Sequence, residues 1–168
     1  MSETTVTTST ISVTVDSGRI NSFFNILDLN NDERQKAVKA ALRKSVLIIR
    51  KQAQANLVNA VPAAKTKGTG RNGETFKPLK NEINIAVYKN ASGARVDMID
   101  RRRKGSRAFL LKFFNQGTAE RATKRGYNRG IIKASSFFQN AVTAKKNEAE
   151  KSLEQNIIDM IKKAASKK

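Results

Sequence analysis

The sequence predicts an α+β fold: a small antiparallel sheet of three to four strands packed against two long helices, plus a short N-terminal helix. Two observations carry this. Apolar residues recur at spacings of three and four over residues 32–59 and again over 136–165, the period of a helix with one buried face. Between them, residues 83–98 alternate apolar and polar around a central turn, the period of an antiparallel hairpin. Long helices flanking a few strands bury their apolar stripes by packing on one side of a sheet. A chain of 168 residues is long enough for one domain with a core of its own. The expected organisation is a flexible N-terminus over 1–10 and a single domain over 11–168. Flexible loops are expected at 63–80, 100–107 and 117–131.

Taken in order, residues 1–10 are rich in Ser and Thr and are expected to fray. Ile11, Val13 and Val15 alternate with Ser12 and Thr14, a short half-buried strand. Asp16-Ser17-Gly18 is a turn or a helix cap. Ile20, Phe23, Phe24 and Leu27 then fall on one face of a short helix over 19–27. Asn30, with Glu33 three residues on, forms a helix start of the capping-box kind. In the helix over 32–59, Ala37, Val38, Ala41, Leu42, Ser45, Val46, Ile49, Ala53 and Leu57 share a face, with the cations mainly off it. The helix stops before Pro62, which has no N–H to donate.

Residues 63–80 read as a surface loop. They contain Gly68-Thr69-Gly70-Arg71-Asn72-Gly73, a literal match to the dinucleotide-binding G-x-G-x-x-G. The context is wrong: that motif needs a strand before it and a helix after it. Here a helix and Pro62 precede, and Pro78 follows. Ile83, Ile85 and Val87, then Ala94, Val96 and Met98, form a hairpin across Asn90-Ala91-Ser92-Gly93. Residues 101–107 are a basic loop. Residues 108–114, dense in Phe and Leu, are expected as a strand that stops at Asn115-Gln116-Gly117-Thr118. A second basic loop with Gly126 and Gly130 leads to Phe137-Phe138, a buried anchor. Ser135 or Ser136 caps the last helix. Its apolar spacing slackens between Val142 and Ala149. The ends of the long helices beyond the sheet have little of their own domain to cover, which favours oligomerisation.

Composition excludes much chemistry. There is no cysteine, hence no disulfide and no thiolate, and no histidine, the usual general base and metal ligand. No apolar run is long enough to cross a membrane. Residues 1–17 lack the charged and apolar regions of a signal peptide, so synthesis in the cytoplasm is expected. Asp97 and Asp100 are the only central carboxylates a metal-dependent nuclease could use. Three apart on a strand they point to opposite faces, and charge balance beside Arg101, Arg102 and Arg103 explains them better. No enzyme, cofactor or metal is expected.

The net charge is +19, self-repulsion that destabilises a compact monomer unless anions or partners neutralise it; a solvated basic surface is the plain alternative to work beside a polyanion. Residues 101–133 hold eleven Lys and Arg against one acid, Glu120, or +10 of the total. The candidate DNA- or partner-facing residues are Arg101, Arg102, Arg103, Lys104 and Arg107 in the first loop and Arg121, Lys124, Arg125 and Arg129 in the second. Gly117, Thr118, Phe137 and Phe138 are the candidate structural anchors.

The order of elements resembles that of the phage tail-completion and neck proteins of the lambda minor-tail-protein-Z type, which include those like gene product ten of the Hong Kong lambdoid phages. The matching pieces are the helix through Ala41-Leu42 to Pro62, Thr69-Gly70, Ile83-Asn84-Ile85-Ala86-Val87, Phe114-Asn115-Gln116-Gly117-Thr118, and Phe137-Phe138 with Ala141. Asn115 and Gln116 depart from the acid and aromatic of the family pattern, and Ser136 from its proline. The resemblance implies a non-catalytic structural virion protein assembled in the host cytoplasm. It implies a homo-oligomeric ring, such as a hexamer, at the neck. The implied partners are the head connector or stopper, the tail tube or tail terminator, and DNA in the channel, with no membrane. The charge alone fits a second class, a cellular nucleic-acid-binding protein of ribosomal or nucleoid type.

Overall fold

A computed structural model describes residues 2–6, 10–15, 31–70, 72–98 and 106–166. Its elements are β1 (Ser2–Val6), β2 (Thr10–Val15), α1 (Asn31–Ala60), β3 (Gly68–Thr69), β4 (Thr75–Phe76), β5 (Asn84–Val87), β6 (Gly93–Asp97), α2 (Phe109–Gln116) and α3 (Phe137–Ala165). Short 3-10 turns, Pro62–Lys65 and Leu79–Glu82, flank the small β3–β4 hairpin. The predicted mixture of helices and antiparallel strands is what the chain forms. Strands β1, β2, β6 and β5 pair in that order, and β3 pairs β4. The predicted hairpin of residues 83–98 is β5–β6, with Ile85 opposite Val96 and Val87 opposite Ala94. The helix expected over 19–27 and the turn before it lie outside the described residues.

Helix α1 sits between the sheet and α3, in contact with β5 and β6 on one side and with α3 on the other. The two long helices run antiparallel. Asn56 Nδ2 donates to Phe137 C=O at the start of α3 (3.1 Å), and Ser45 Oγ donates to Ala149 C=O further along it (2.8 Å). Lys44 Nζ reaches Asn156 Oδ1 beyond that. Ser45 is fully buried, and this bond satisfies a hydroxyl that would otherwise be costly there. Leu42, Val46, Ile49, Ala53 and Leu57 of α1 form the centre of the core with Ile83, Ala94, Val96, Ala141 and Leu153. Arg50 Nε donates to Ile83 C=O (2.8 Å) and Gln54 Nε2 to Lys80 C=O (2.9 Å), which ties the chain before β5 to α1.

Four expectations are corrected. Residues 108–114 are not a strand; α2 covers Phe109–Gln116. Ala108, just before it, and Leu111 and Asn115 within it are buried, three and four apart, and no β-branched residue occurs in the segment. A short apolar run does not itself distinguish strand from helix; the helix buries Leu111 and Asn115 on one side and leaves Phe109 and Phe113 exposed on the other. Residues 2–6, expected to fray, form β1, an edge strand in register with β2 from Ser2↔Val15 to Val6↔Ile11. Their Thr and Val content suits a strand once a partner is present. Residues 63–80, expected as a flexible surface loop, hold the β3–β4 hairpin. The ends of the long helices are covered in part: running antiparallel, they bring Ile157 and Met160 against the core, while Ile158 stays exposed. Over 143–148 the last helix continues unbroken, with Thr143, Ala144, Asn147 and Glu148 exposed.

Candidate functional site

The site begins where α2 ends. Gly117 N–H donates to Phe113 C=O (2.8 Å), the last bond of the helix, and Gly117 has φ 78° and ψ −177°. From there the chain leaves, returns at residue 132 and is fastened to the end of α2. Thr118 N–H donates to Ile132 C=O (2.9 Å) and Thr118 Oγ1 accepts from Ile132 N–H (3.1 Å). Ser135 N–H and Ser135 Oγ both donate to Phe114 C=O, and Ser136 N–H donates to Asn115 C=O. These bonds satisfy the orphan carbonyls at the C-terminus of α2.

The start of α3 is capped from outside its own segment. Ser136 takes the cap position, and its carbonyl accepts from Asn140 N–H (2.9 Å). The donor at Phe138 N–H is met by Asn115 Oδ1 (3.1 Å), a side chain 23 residues away in sequence. The expected cap, Ser135 or Ser136, is thus replaced by a buried asparagine. Ser135 is engaged with Phe114 instead, and Ser136 has φ 48°. Phe137 and Phe138 are buried and edge-to-face, with ring centroids 6.5 Å apart. The anchors named from sequence, Gly117, Thr118, Phe137 and Phe138, therefore meet at one place, the closed base of the loop. Asn115→Leu is expected to cost about 1–3 kcal/mol by leaving a buried N–H without this acceptor. Asn115→Asp, which keeps an acceptor at a helix N-terminus, should cost less. Urea denaturation of the two variants checks the difference.

Between its fastened ends the segment is not a plain loop but an arm folded as a hairpin. Ala122 and Asn128 pair as an antiparallel bridge. Arg129 N–H donates to Arg121 C=O (2.6 Å), Thr123 N–H to Tyr127 C=O (2.8 Å) and Gly126 N–H to Thr123 C=O (2.9 Å). The tip is a three-residue loop of Lys124, Arg125 and Gly126. Gly126 has φ 81°, the left-handed residue that such a loop needs. All of residues 119–131 are exposed except the half-buried Thr123, with Tyr127 at 70% and Ile131 at 60%. Arg121, Lys124, Arg125 and Arg129 all lie on this arm, and none of them has an acidic partner among the described residues.

The other predicted cations are elsewhere. Arg107 is half-buried; its Nη2 donates to Lys77 C=O (3.1 Å) and its guanidinium lies 5.1 Å from the centre of the Phe76 ring. It fills the space beside Gly68, so it holds the β3–β4 hairpin and is not free to meet a partner. In the Gly-rich match to a nucleotide motif, Gly68 lies against the Arg107 guanidinium and Gly70 faces the Phe76 ring, and strand β4 rather than a helix comes next. Arg101, Arg102, Arg103 and Lys104 lie outside the described residues. Asp97 is buried, with its carboxylate 3.0 Å from Arg95 Nε on the same strand, so Arg95 balances its charge; Asp100 lies outside the described residues. Among the described residues no group of His, Cys, Asp and Glu is placed to hold a metal ion, and no helix is long and apolar enough to cross a membrane.

A feature not anticipated from the sequence lies beside the arm's base. Phe109 and Phe113, one turn apart on the outer face of α2, are exposed and edge-to-face at 6.2 Å. Their spacing of four brings the rings into contact only when the segment is helical; on a strand they share a face but stand about 13 Å apart, so a strand reading hides the contact. No protein-family model, curated protein or solved structure matches this chain in comparisons with known proteins.

Proposed function

We propose that this chain is a structural virion protein of the phage neck. On this reading it completes the tail end and joins it to the head connector, as a homo-oligomeric ring around the DNA channel. The observation that carries the reading is the basic arm: four cations, none with an acidic partner among the described residues, on a hairpin whose base is locked to both α2 and α3. A ring repeats that arm around an axis. The result is a positive collar that phosphates, or an acidic connector rim, neutralise. The reading includes the finer architecture expected from sequence, a sheet of three to four strands packed against two long helices. It also includes assembly in the host cytoplasm, location in the virion and no catalytic role. The exposed Phe109–Phe113 pair offers an apolar patch of the kind that contacts between subunits bury. One element departs from the order expected from sequence: a helix, not a strand, leads into Gly117-Thr118.

A second reading is a cellular nucleic-acid-binding protein of ribosomal or nucleoid type, favoured by the exposed Tyr127 beside the arm's cations. Sedimentation of a lysate of producing cells, with the protein located by mass spectrometry, separates the two. The neck reading expects co-migration with DNA-filled particles at a few copies each. Co-migration with ribosomes or bulk nucleoid overturns it in favour of the second.

A further inference from the structure

We infer that one face of the arm, the face carrying Arg121, Arg129 and Tyr127, binds the phosphodiester backbone of nucleic acid. The inference deepens the neck reading and rests on it for the DNA that threads the channel.

The register of the arm makes the argument. Ala122 stands opposite Asn128, and the bonds Arg129 N–H to Arg121 C=O and Thr123 N–H to Tyr127 C=O continue the same register on either side. Arg121 is therefore directly across from Arg129, and Thr123 from Tyr127. Residues directly opposite in an antiparallel pair share a face, and so do residues two apart along a strand. Arg121, Arg129, Thr123 and Tyr127 thus occupy one face. Glu120, Ala122 and Asn128 occupy the other, where Glu120 Oε1 accepts from Asn128 Nδ2 at 2.6 Å. The one acid of residues 101–133 is turned away from the two arginines and already engaged.

Two like charges placed directly across a ladder weaken it. Arg121 and Arg129 form such a pair, exposed and with no acidic partner among the described residues. An anion held between them removes the repulsion, so this face of the arm is more stable with an anion than without one. Guanidinium groups present planar forks of N–H donors that match phosphate oxygens two at a time. Tyr127 lies one pair further along the same face and is 70% exposed. An aromatic ring there has no use for a lone inorganic anion, but it offers a flat surface to a base or a sugar next to the bound phosphate. Lys124 and Arg125 extend the charge around the tip. A two-stranded ribbon of this kind is narrow enough to enter a groove about 12 Å wide in duplex DNA.

The test uses the full chain and two labelled probes, a duplex and a single strand of the same sequence, with anisotropy followed across a salt series. For the chain carrying both Arg121→Gln and Arg129→Gln, affinity should fall equally for unrelated sequences. The slope of log affinity against log salt should drop by about two, one for each phosphate no longer neutralised. Tyr127→Ala should weaken the single strand more than the duplex if the ring stacks on bases, and both equally if it packs on the sugar; no loss on either probe overturns the role given to Tyr127. Because the arm is solvent-exposed, the double variant should melt no lower than the parent, which separates lost binding from lost folding. An unchanged slope in the double variant overturns the inference. So does a chain that binds polyglutamate through Arg121 and Arg129 while its DNA affinity ignores them, because the arm then docks on acidic protein. The neck reading is judged separately by particle co-sedimentation. A chain absent from particles that still loses two units of slope fails as a neck protein and keeps the arm assignment.

Discussion

Phe137→Ala is expected to lower folding stability by about 3–5 kcal/mol. The ring is 1% exposed and packs edge-to-face on Phe138, at the point where α3 starts and α1 and the end of α2 converge. Truncation removes the transfer free energy of the ring and leaves a cavity that three helices cannot close together. For a domain of this size the melting temperature should fall by about 10 °C. Differential scanning calorimetry checks the value; an unchanged midpoint would mean that the ring contributes nothing to the core. The same residue joins the arm to the body, through the bond from Asn56 Nδ2 to its carbonyl. That bond uses the backbone and survives the substitution, so the arm's register should persist in any folded fraction.

Gly117→Ala is the second large effect, about 1–3 kcal/mol from the backbone conformation, with a backbone clash added to it. Its backbone, at φ 78° and ψ −177°, lies in a region essentially closed to residues with a Cβ. Space is closed as well: a Cβ would sit 2.9 Å from Ala134 N and 2.9 Å from Ile132 O. Both are backbone atoms of the returning segment and cannot swing aside as a flexible side chain does. Relief requires the base of the arm to open, which breaks the bonds from Thr118 N–H to Ile132 C=O and from Ser135 N–H to Phe114 C=O. Amide hydrogen exchange at Thr118 and Ser135 should therefore quicken together, ahead of the amides in the middle of α1. Exchange at parent rates with an unchanged denaturation midpoint would show that the returning segment adapts and that Gly117 is not required.

Much of the fold is legible because it is periodic. Val38, Leu42, Val46, Ile49 and Leu57 repeat at helical spacing and are buried in α1; Ile85 and Val87 alternate and pair with Val96 and Ala94 in β5–β6. The site is legible in part. Gly117, Thr118, Phe137 and Phe138 stand out in the sequence and do converge, since a glycine at the end of an apolar run and a double aromatic before a helix each have few local explanations. Arg107 groups with the free cations in the sequence, which shows its charge but not its neighbours. The Phe76 ring and the Lys77 carbonyl that hold it come from a separate segment. The 109–114 run reads as a strand from sequence because six residues are too short for period to decide between the two structures.

By itself, then, the sequence determined the two long helices, the hairpin between them, the cationic character of residues 101–133 and the absence of thiol or imidazole chemistry. These follow from composition and from spacings within single segments, where side-chain pattern and backbone period are the same information. Only the tertiary structure decided that Asn115 caps α3, that Arg107 is a packing residue, and that Arg121 stands directly across from Arg129 with Glu120 turned away. Each is a relation between residues distant in sequence or paired across a turn. Hydrogen-bond geometry and register fix such relations, and neither is encoded in the identity of any one residue.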